Sequence, residues 1–216
     1  VHLFEECRRH GVEYMCTAFD LGSLAFLDQN FDLPYFKVAS GEILTLDMLY
    51  YLSKTNKPIL LSTGMATFDE IALSLETLER ERPHDITLLH CVSNYPTPPE
   101  DVHLRVMDEL RRRFNRSVGF SDHTLGNDSA VAAVARGATV VEKHVTLDRD
   151  MDGPDHRASA TIDQFAALVT SIRIVEKALG DPLDGAGKIF SEQEDEIRAA
   201  ARKSIAAARD LKPGDV

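Results

Sequence analysis

Two histidines, His123 and His144, are the side chains in this sequence best placed to share one chemical task. Each comes at the end of a short apolar, strand-like run, and the segment between them is typical of a helix. That spacing predicts that both imidazoles lie at the same end of neighbouring parallel strands. Neutral imidazole binds Mn, Fe, Co, Ni and Zn, and Asp122 or Asp155 could complete or organise such a site. The pair therefore predicts a metal-assisted enzyme.

The elements that must position these histidines alternate regularly along the chain. Short apolar runs predict six strands, at 12–17, 35–40, 58–63, 86–91, 117–121 and 139–144. Helical patterns follow at about 22–31, 45–55, 68–82, 101–114, 127–136 and 161–179, with a further charged helix at 191–203. This alternation predicts an α/β protein with a parallel sheet and helical crossovers.

Nearly every predicted strand ends in a polar residue, from Thr17 on the first to His144 on the last. An open sheet concentrates its ligand contacts at one switch point, whereas a barrel gathers all its strand ends around one mouth. The pattern therefore favours a barrel. A closed barrel of this type needs eight strands, so we expect its first two strand–helix units to lie upstream of Val1.

Composition excludes several classes of protein. The chain has 216 residues, of which 44% are apolar and 27% are charged, as is ordinary for a soluble globular protein. Its net charge of -11 argues against nucleic-acid binding, and no apolar run approaches the ~20 residues of a membrane span. Three cysteines without a Cys-x-x-Cys pair argue against a disulfide scaffold and favour a reducing cytoplasm.

Further candidates for chemistry stand at other strand ends. A lysine inside an apolar strand is costly unless it meets an anion, so Lys37 indicates phosphate or carboxylate binding, or Schiff-base chemistry. The alternative is a lysine that snorkels from a short edge strand. Ser62 and Thr63 precede a helix, where they could form an anion site or a plain N-cap. The Pro-rich loop after 86–91 and the turn at 153–156 are equally compatible with ligand binding and with ordinary turns.

Six stretches of the chain, in order and over about residues 12–160, resemble the sialic acid synthase family. They are FKVASGE at 36–42, LSTGM at 61–65, LHCVSNYPTP at 89–98, GFSDHTLG at 119–126, EKH at 142–144 and GPDH at 153–156. The family includes N-acetylneuraminate synthase and its relatives for legionaminic, pseudaminic and spore-coat sugars. The resemblance implies a TIM (β/α)8 barrel, here without its first two units, followed by a small antifreeze-like domain. We expect the barrel at 1–180, a linker at 181–200 and the start of the small domain at 201–216.

The resemblance also implies an activity and a set of residues. The family condenses phosphoenolpyruvate with an N-acylated aminosugar such as N-acetylmannosamine, which gives a nine-carbon 2-keto acid and phosphate, and it uses a divalent metal, Mn²⁺ or Mg²⁺. By position, the metal ligands are His123 and His144. The residues expected on the phosphoenolpyruvate side are Thr17, Lys37, Ser40, Ser62, Ser93 (with Asn94 as a substitute) and Ser121. Those expected on the aminosugar side are Glu42, Tyr95 and Asp155, with Glu42 as an acid/base or hydroxyl orienter.

The chain departs from the family pattern at both ends. The family's first barrel strand carries a sugar-contacting glutamate and its second a phosphate-binding lysine, and neither strand is present, so we expect this segment alone to be a poor catalyst. The family also implies a homodimer in which the small domain reaches the partner's active site. Two alternatives stay open: a Schiff-base aldolase that uses Lys37 or Lys143, and a non-catalytic barrel that binds an acidic sugar.

Overall fold

The computed structural model describes residues 2–181 and 187–214 and centres on a parallel sheet of five strands. The sheet has the order β1-β2-β3-β4-β5, so every strand pairs with its neighbours in sequence. An open doubly wound sheet reverses its order at a switch point, and this sheet does not. It curls into a half-barrel with helices. The strands are Phe36–Val38 (β1), Ile59–Ser62 (β2), Ile86–Cys91 (β3), Ser117–Asp122 (β4) and Val141–Lys143 (β5).

Two helices precede β1, and an α-helix follows each strand of the sheet. They are His2–Arg9 (α1), Leu21–Asn30 (α2), Leu46–Leu52 (α3), Phe68–Leu78 (α4), Val106–Phe114 (α5), Asp128–Ala135 (α6) and Ile162–Leu179 (α7). Local signals fix several of their starts. Thr67 and Glu70 form a capping box at α4, in which the Glu70 carboxylate accepts a hydrogen bond from the Thr67 N–H at 2.7 Å. Asp20 caps α2 by accepting from the Ser23 N–H at 2.7 Å.

The strand predicted at 12–17 is wrong. Among the described residues, β1 pairs with β2 alone, and 12–17 joins no ladder. Its apolar pattern has another cause, since Tyr14 and Cys16 pack against the core although the segment joins no strand ladder. A strand needs a neighbouring backbone as well as an apolar face. Helix α1, which the sequence analysis did not predict, lies just before it, and Phe4 of α1 stacks edge-on against Tyr14 at 5.8 Å.

Two predicted strands are shorter than expected, and their ends lie beside the candidate site. The run 35–40 is a strand only at Phe36–Val38, because Ser40–Glu42 forms a 3-10 turn. The run 139–144 is paired only at Val141–Lys143, which leaves His144 beyond the ladder. After it, Val145–Thr146 (β6) pairs with Ala160–Thr161 (β7) in a separate two-stranded sheet. Side chains that leave a ladder at its carboxyl end are free to turn into the mouth.

The chain divides into two compact units, before and after the Leu179–Gly180 boundary. In the second unit, Glu192–Ala201 (α8) forms within the predicted helix 191–203, and the Ser191 hydroxyl caps it by accepting from the Glu194 N–H at 3.1 Å. Residues 182–186 of the expected linker and 215–216 of the expected small domain lie outside the described residues. The three domain ranges stay predictions. None of the described helices combines the length and the apolar character that crossing a membrane would require.

One buried histidine belongs to the core. His90, on β3, is 6% exposed, stacks on the Phe120 ring at 5.9 Å and places Nε2 2.6 Å from the carbonyl oxygen of Val102. Burial lowers the pKa of His90, although the Val102 carbonyl raises it in part and nearby His103 lowers it further. The folded protein therefore favours the neutral imidazole.

This lowered pKa predicts a loss of stability in acid. Below the unfolded-state pKa of about 6.5 the unfolded chain takes up a proton that His90 resists, so the free energy of unfolding falls as pH falls. In His90→Gln, whose amide can still donate to Val102, the decrease between pH 6.5 and 5.5 should be smaller by up to about 1 kcal/mol. Urea unfolding at several pH values measures both slopes. Equal slopes in the two proteins would contradict the assignment.

Candidate active site

A cavity of about 650 Å³ opens at the carboxyl ends of β1 to β5 and collects most of the predicted site residues. The strand register explains the convergence, because parallel neighbours end at the same edge of the sheet. The predicted residues that line the cavity are Thr17, Lys37, Ser40, Ser62, Ser93, Tyr95, Ser121, His123, His144 and Asp155.

The rings of the two histidines are in edge-to-face contact in the lining of this cavity. The ring centroids of His123 and His144 are 5.4 Å apart at an interplanar angle of 73°. The Tyr95 ring packs against both, at 4.1 Å from His123 and 5.6 Å from His144. With metal–nitrogen bonds of about 2.1 Å, this ring separation is compatible with one shared ion. The metal site itself stays a prediction.

The chemistry of His123 also suits a metal ligand. Its Nδ1 lies 2.7 Å from the carbonyl oxygen of Val92. A carbonyl can only accept, so Nδ1 carries the proton and Nε2 keeps its lone pair. Burial lowers the pKa of His123, the Val92 hydrogen bond raises it in part and His144 lowers it, which favours the neutral ring. His144 Nδ1 lies 3.7 Å from the Asp155 carboxylate.

The described residues contain no cluster of three or more His, Cys, Asp or Glu side chains arranged for a metal. A metal at this position would therefore have two imidazoles from the protein, with Asp155 nearby and water or substrate as further ligands. Asp122, the other carboxylate considered for the shell, is not in the cavity lining. Both of its oxygens are already engaged, one by Thr124 and one by Lys143.

In the same cavity lining, Lys37 meets a carboxylate that the sequence analysis did not assign. Glu142 Oε2 is 3.6 Å from Lys37 Nζ, and Glu142 Oε1 accepts a hydrogen bond from the Ser121 hydroxyl at 2.7 Å. Lys37 also donates to the Val38 carbonyl at 3.1 Å. Burial lowers the pKa of Lys37, and the charge of Glu142 raises it in part. An anionic ligand would have to compete with Glu142 for both Lys37 and Ser121.

A small cradle next to Lys37 is built around Gly64. The Gly64 N–H donates to the Ser40 hydroxyl at 3.0 Å, and a Cβ at Gly64 would lie 2.5 to 2.8 Å from Ser93 Oγ, Cys91 Sγ and Ser40 Oγ. Glycine is therefore required by close approach of three polar side chains. The Ser62 hydroxyl in the same lining is buried and has no hydrogen-bond partner among the described residues. A ligand oxygen could satisfy it.

Two predicted site residues lie outside the cavity lining. The Glu42 carboxylate accepts a hydrogen bond from the Thr45 hydroxyl at 2.6 Å within its own turn. Asn94 is exposed, and its backbone carbonyl accepts from the Thr97 hydroxyl at 2.7 Å. Their expected roles stay predictions.

Glu142 and Cys91 are the polar cavity residues that the sequence analysis left without a role. A signal for Glu142 was present. It lies two residues before His144, and the two-residue period of a strand places both side chains on one face. Cys91 ends the buried strand β3. Its Sγ lies 3.1 Å from Ser40 Oγ in the cradle.

A comparison with known families decides the affiliation. The model of the NeuB family matches residues 1–184. The chain belongs to the NeuB family. This confirms the resemblance to the sialic acid synthases that the motifs carried.

Two named relatives align with almost the whole length of this chain. It is 42% identical over 216 residues to N,N'-diacetyllegionaminic acid synthase of Campylobacter jejuni, covering 99% of this chain and 63% of the relative. It is 34% identical over 214 residues to pseudaminic acid synthase of the same species, covering 99% and 61%. The chain therefore spans less than two thirds of the length of these relatives.

A solved structure shows the same half-barrel within a longer chain. The N-acetylneuraminic acid synthetase of Leptospira borgpetersenii, crystallised with citrate, superposes with a TM-score of 0.81 at 30% identity, covering 94% of this chain and 70% of that one. The five-stranded sheet described above is thus the part of the NeuB fold that this chain contains. A complete eight-stranded barrel and the small second domain stay predictions.

The unpartnered Ser62 hydroxyl gives a stability test of the cradle. A buried hydroxyl without a partner costs about 1–3 kcal/mol of desolvation, so Ser62→Ala should leave the free energy of unfolding unchanged or raise it by about 1 kcal/mol. Ser74 is the matched control. It is similarly buried, but its hydroxyl donates a hydrogen bond to the Ile43 carbonyl at 2.6 Å. Ser74→Ala should lose about 1 kcal/mol. Equal losses in urea unfolding would show that Ser62 is not poised for a ligand.

Proposed function

We propose that the protein containing this chain condenses phosphoenolpyruvate with an N-acylated aminosugar, giving a nine-carbon sialic-acid-type 2-keto sugar acid and phosphate. The observation that carries the proposal is the convergence of Lys37, a serine-lined cradle and two facing histidines in one cavity of a NeuB-family half-barrel. The names of the relatives, which are legionaminic, pseudaminic and N-acetylneuraminic acid synthases, support the reaction class.

The anionic substrate is assigned to the Lys37 side of the cavity. Phosphoenolpyruvate carries a phosphate and a carboxylate, which need charge-assisted hydrogen bonds from a cation and from hydroxyl donors. Lys37 supplies the cation, and Ser40, Ser62 and Ser121 supply hydroxyls, with Thr17 and Ser93 as further hydroxyls of the same lining. In this role Lys37 and Ser121 exchange their contacts with Glu142 for contacts with the substrate.

The aminosugar is assigned to the side of Tyr95 and Asp155, with Glu42 as an acid/base or hydroxyl orienter. A divalent metal, Mn²⁺ or Mg²⁺, held by His123 and His144 would supply a Lewis acid that polarises the sugar aldehyde. The reaction balances without a further co-reactant. The enol carbon of phosphoenolpyruvate bonds to the aldehyde carbon, water adds to the phosphate-bearing carbon, and phosphate leaves with cleavage of its C–O bond.

Oxygen labelling tests this bond assignment. Phosphoenolpyruvate with ¹⁸O in the bridging position should release phosphate that retains the label, in the presence of Mn²⁺ and the N-acylated hexosamine precursor of sialic, legionaminic or pseudaminic acid. Mass spectrometry of the phosphate measures the label. Unlabelled phosphate would contradict C–O cleavage, and no release with any of these sugars would contradict the function.

Variants of the full-length protein test the residue roles. Losing one hydrogen bond to a charged group costs about 1.5–3 kcal/mol, so Lys37→Met should lower kcat/KM for phosphoenolpyruvate by about 10- to 100-fold. His123→Ala should abolish the response to added metal. Ser74→Ala, which lies on α4 away from the cavity lining, is the control and should keep the wild-type KM. A wild-type rate in Lys37→Met would exclude the anion clamp.

A Schiff-base aldolase is the second candidate, and one observation favours it. Burial lowers the pKa of Lys37, as nucleophilic lysines require. Lys143 is less suited, since its side chain is 2% exposed and pairs with Asp122 at 2.7 Å. Borohydride reduction in the presence of labelled pyruvate would trap an adduct at Lys37 if this candidate holds. Binding of a sugar acid without turnover by the full-length protein would instead support a non-catalytic barrel.

A further inference from the structure

A buried ion pair lies directly behind the two facing histidines. Lys143 Nζ is 2.7 Å from Asp122 Oδ2, and the two side chains are 2% and 0% exposed. The other carboxylate oxygen, Asp122 Oδ1, accepts from the Thr124 N–H at 2.9 Å and from its hydroxyl at 2.8 Å. Lys143 also donates to the Thr124 carbonyl at 2.9 Å, which closes the network. The proposed reaction uses none of these three residues.

The strand register explains where this network lies. Ser121 pairs with Glu142, and Asp122 pairs with Lys143, across β4 and β5. Successive residues of a strand point to opposite faces, and the cavity lining includes Ser121, His123, Glu142 and His144 but neither Asp122 nor Lys143. The ion pair therefore lies on the face of the sheet that points away from the cavity. Along the strands it falls between the cavity-lining pair Ser121 and Glu142 and the two histidines.

We infer that Asp122 and Lys143 are positioning residues that fix the separation of the His123 and His144 rings, an inference that rests on the proposed function. In the sequence, Asp122 directly precedes His123 and Lys143 directly precedes His144. Both histidines lie beyond the last paired residues of β4 and β5. Their carbonyls accept hydrogen bonds at 2.9 Å from the N–H groups of Thr97 and Ala160, and the ion pair acts beside these contacts. Thr124 follows His123 and is tied to both charges, so the network holds His123 from the two sides of its backbone.

The double variant Asp122→Leu/Lys143→Met separates positioning from simple stabilisation. Replacing a buried ion pair with apolar side chains is often neutral or stabilising, but the buried Thr124 N–H and hydroxyl lose their acceptor. The midpoint of urea unfolding should therefore fall while the transition stays cooperative. The dissociation constant for Mn²⁺, measured by electron paramagnetic resonance of the free ion, should rise about 10- to 100-fold, the effect typical of groups that orient metal ligands. KM for phosphoenolpyruvate should stay within a few-fold.

A second ion pair provides the matched control. Arg116 and Glu79 pair at the other end of β4, just before Ser117. The variant Glu79→Leu/Arg116→Met removes a charge pair next to the opposite end of β4 and should leave the Mn²⁺ dissociation constant unchanged. If Asp122→Leu/Lys143→Met fails to fold, Thr124→Val is used instead. It removes one hydroxyl donor, keeps the ion pair, and should weaken Mn²⁺ binding by a few-fold.

A metal-free measurement keeps this inference distinct from the proposed function. The ring signals of His123 and His144 in ¹⁵N–¹H spectra, assigned by loss in His123→Gln and His144→Gln, should shift or broaden in the Asp122/Lys143 variant and not in the control. Unchanged ring signals together with an unchanged Mn²⁺ constant would overturn the positioning role. Shifted signals in a protein that neither binds Mn²⁺ nor turns over substrate would support positioning while refuting the proposed function.

Discussion

The parallel register between β4 and β5 is the constraint on which the candidate site depends. It sets Ser121 opposite Glu142 and Asp122 opposite Lys143, so the next residues along, His123 and His144, emerge on the cavity side. A slip of one residue on either strand would reverse the faces of that strand. It would turn one histidine away from the cavity and bring Asp122 or Lys143 into it. The apolar residues that hold the register, Val118, Phe120 and Val141, are thus as necessary to the site as its polar groups.

The sequence predicts the sheet well where burial and backbone pairing coincide. β2 and β3 are buried along nearly their whole length, and their mostly apolar runs were sufficient to place them. In β4 only Val118 and Phe120 give that signal, between small and polar residues. The run 12–17 has the same apolar character without a paired neighbour, and sequence cannot distinguish packing from pairing. Helix α1 is short and, among the described residues, buries no side chain completely. Its Phe4 packs on Tyr14 and Phe31, and such tertiary contacts leave little trace in local sequence.

The sequence predicts which residues form the site better than it predicts how their side chains are oriented. Strand ends and the family motifs named ten residues that line one cavity. Whether a residue turns inwards after its strand ends depends on the loop, and there the sequence was a weaker guide. Glu42 lies in a 3-10 turn and bonds to Thr45, whereas Ser40 of the same turn reaches the cradle. The two-residue period of a strand is sufficient to place Glu142 on the same face as His144, and thus in the cavity.

Charge balance explains why the two halves of the site need each other. The cavity lining contains one lysine against two carboxylates, Glu142 and Asp155, in a chain of net charge -11. Lys37 alone would not offset the repulsion that a phosphate and a carboxylate would meet there. The hydroxyls of the lining would lower that cost by supplying dipoles without charge. A divalent ion at His123 and His144 would reverse the sign of the balance, so metal and anion binding should be mutually favourable in the proposed reaction.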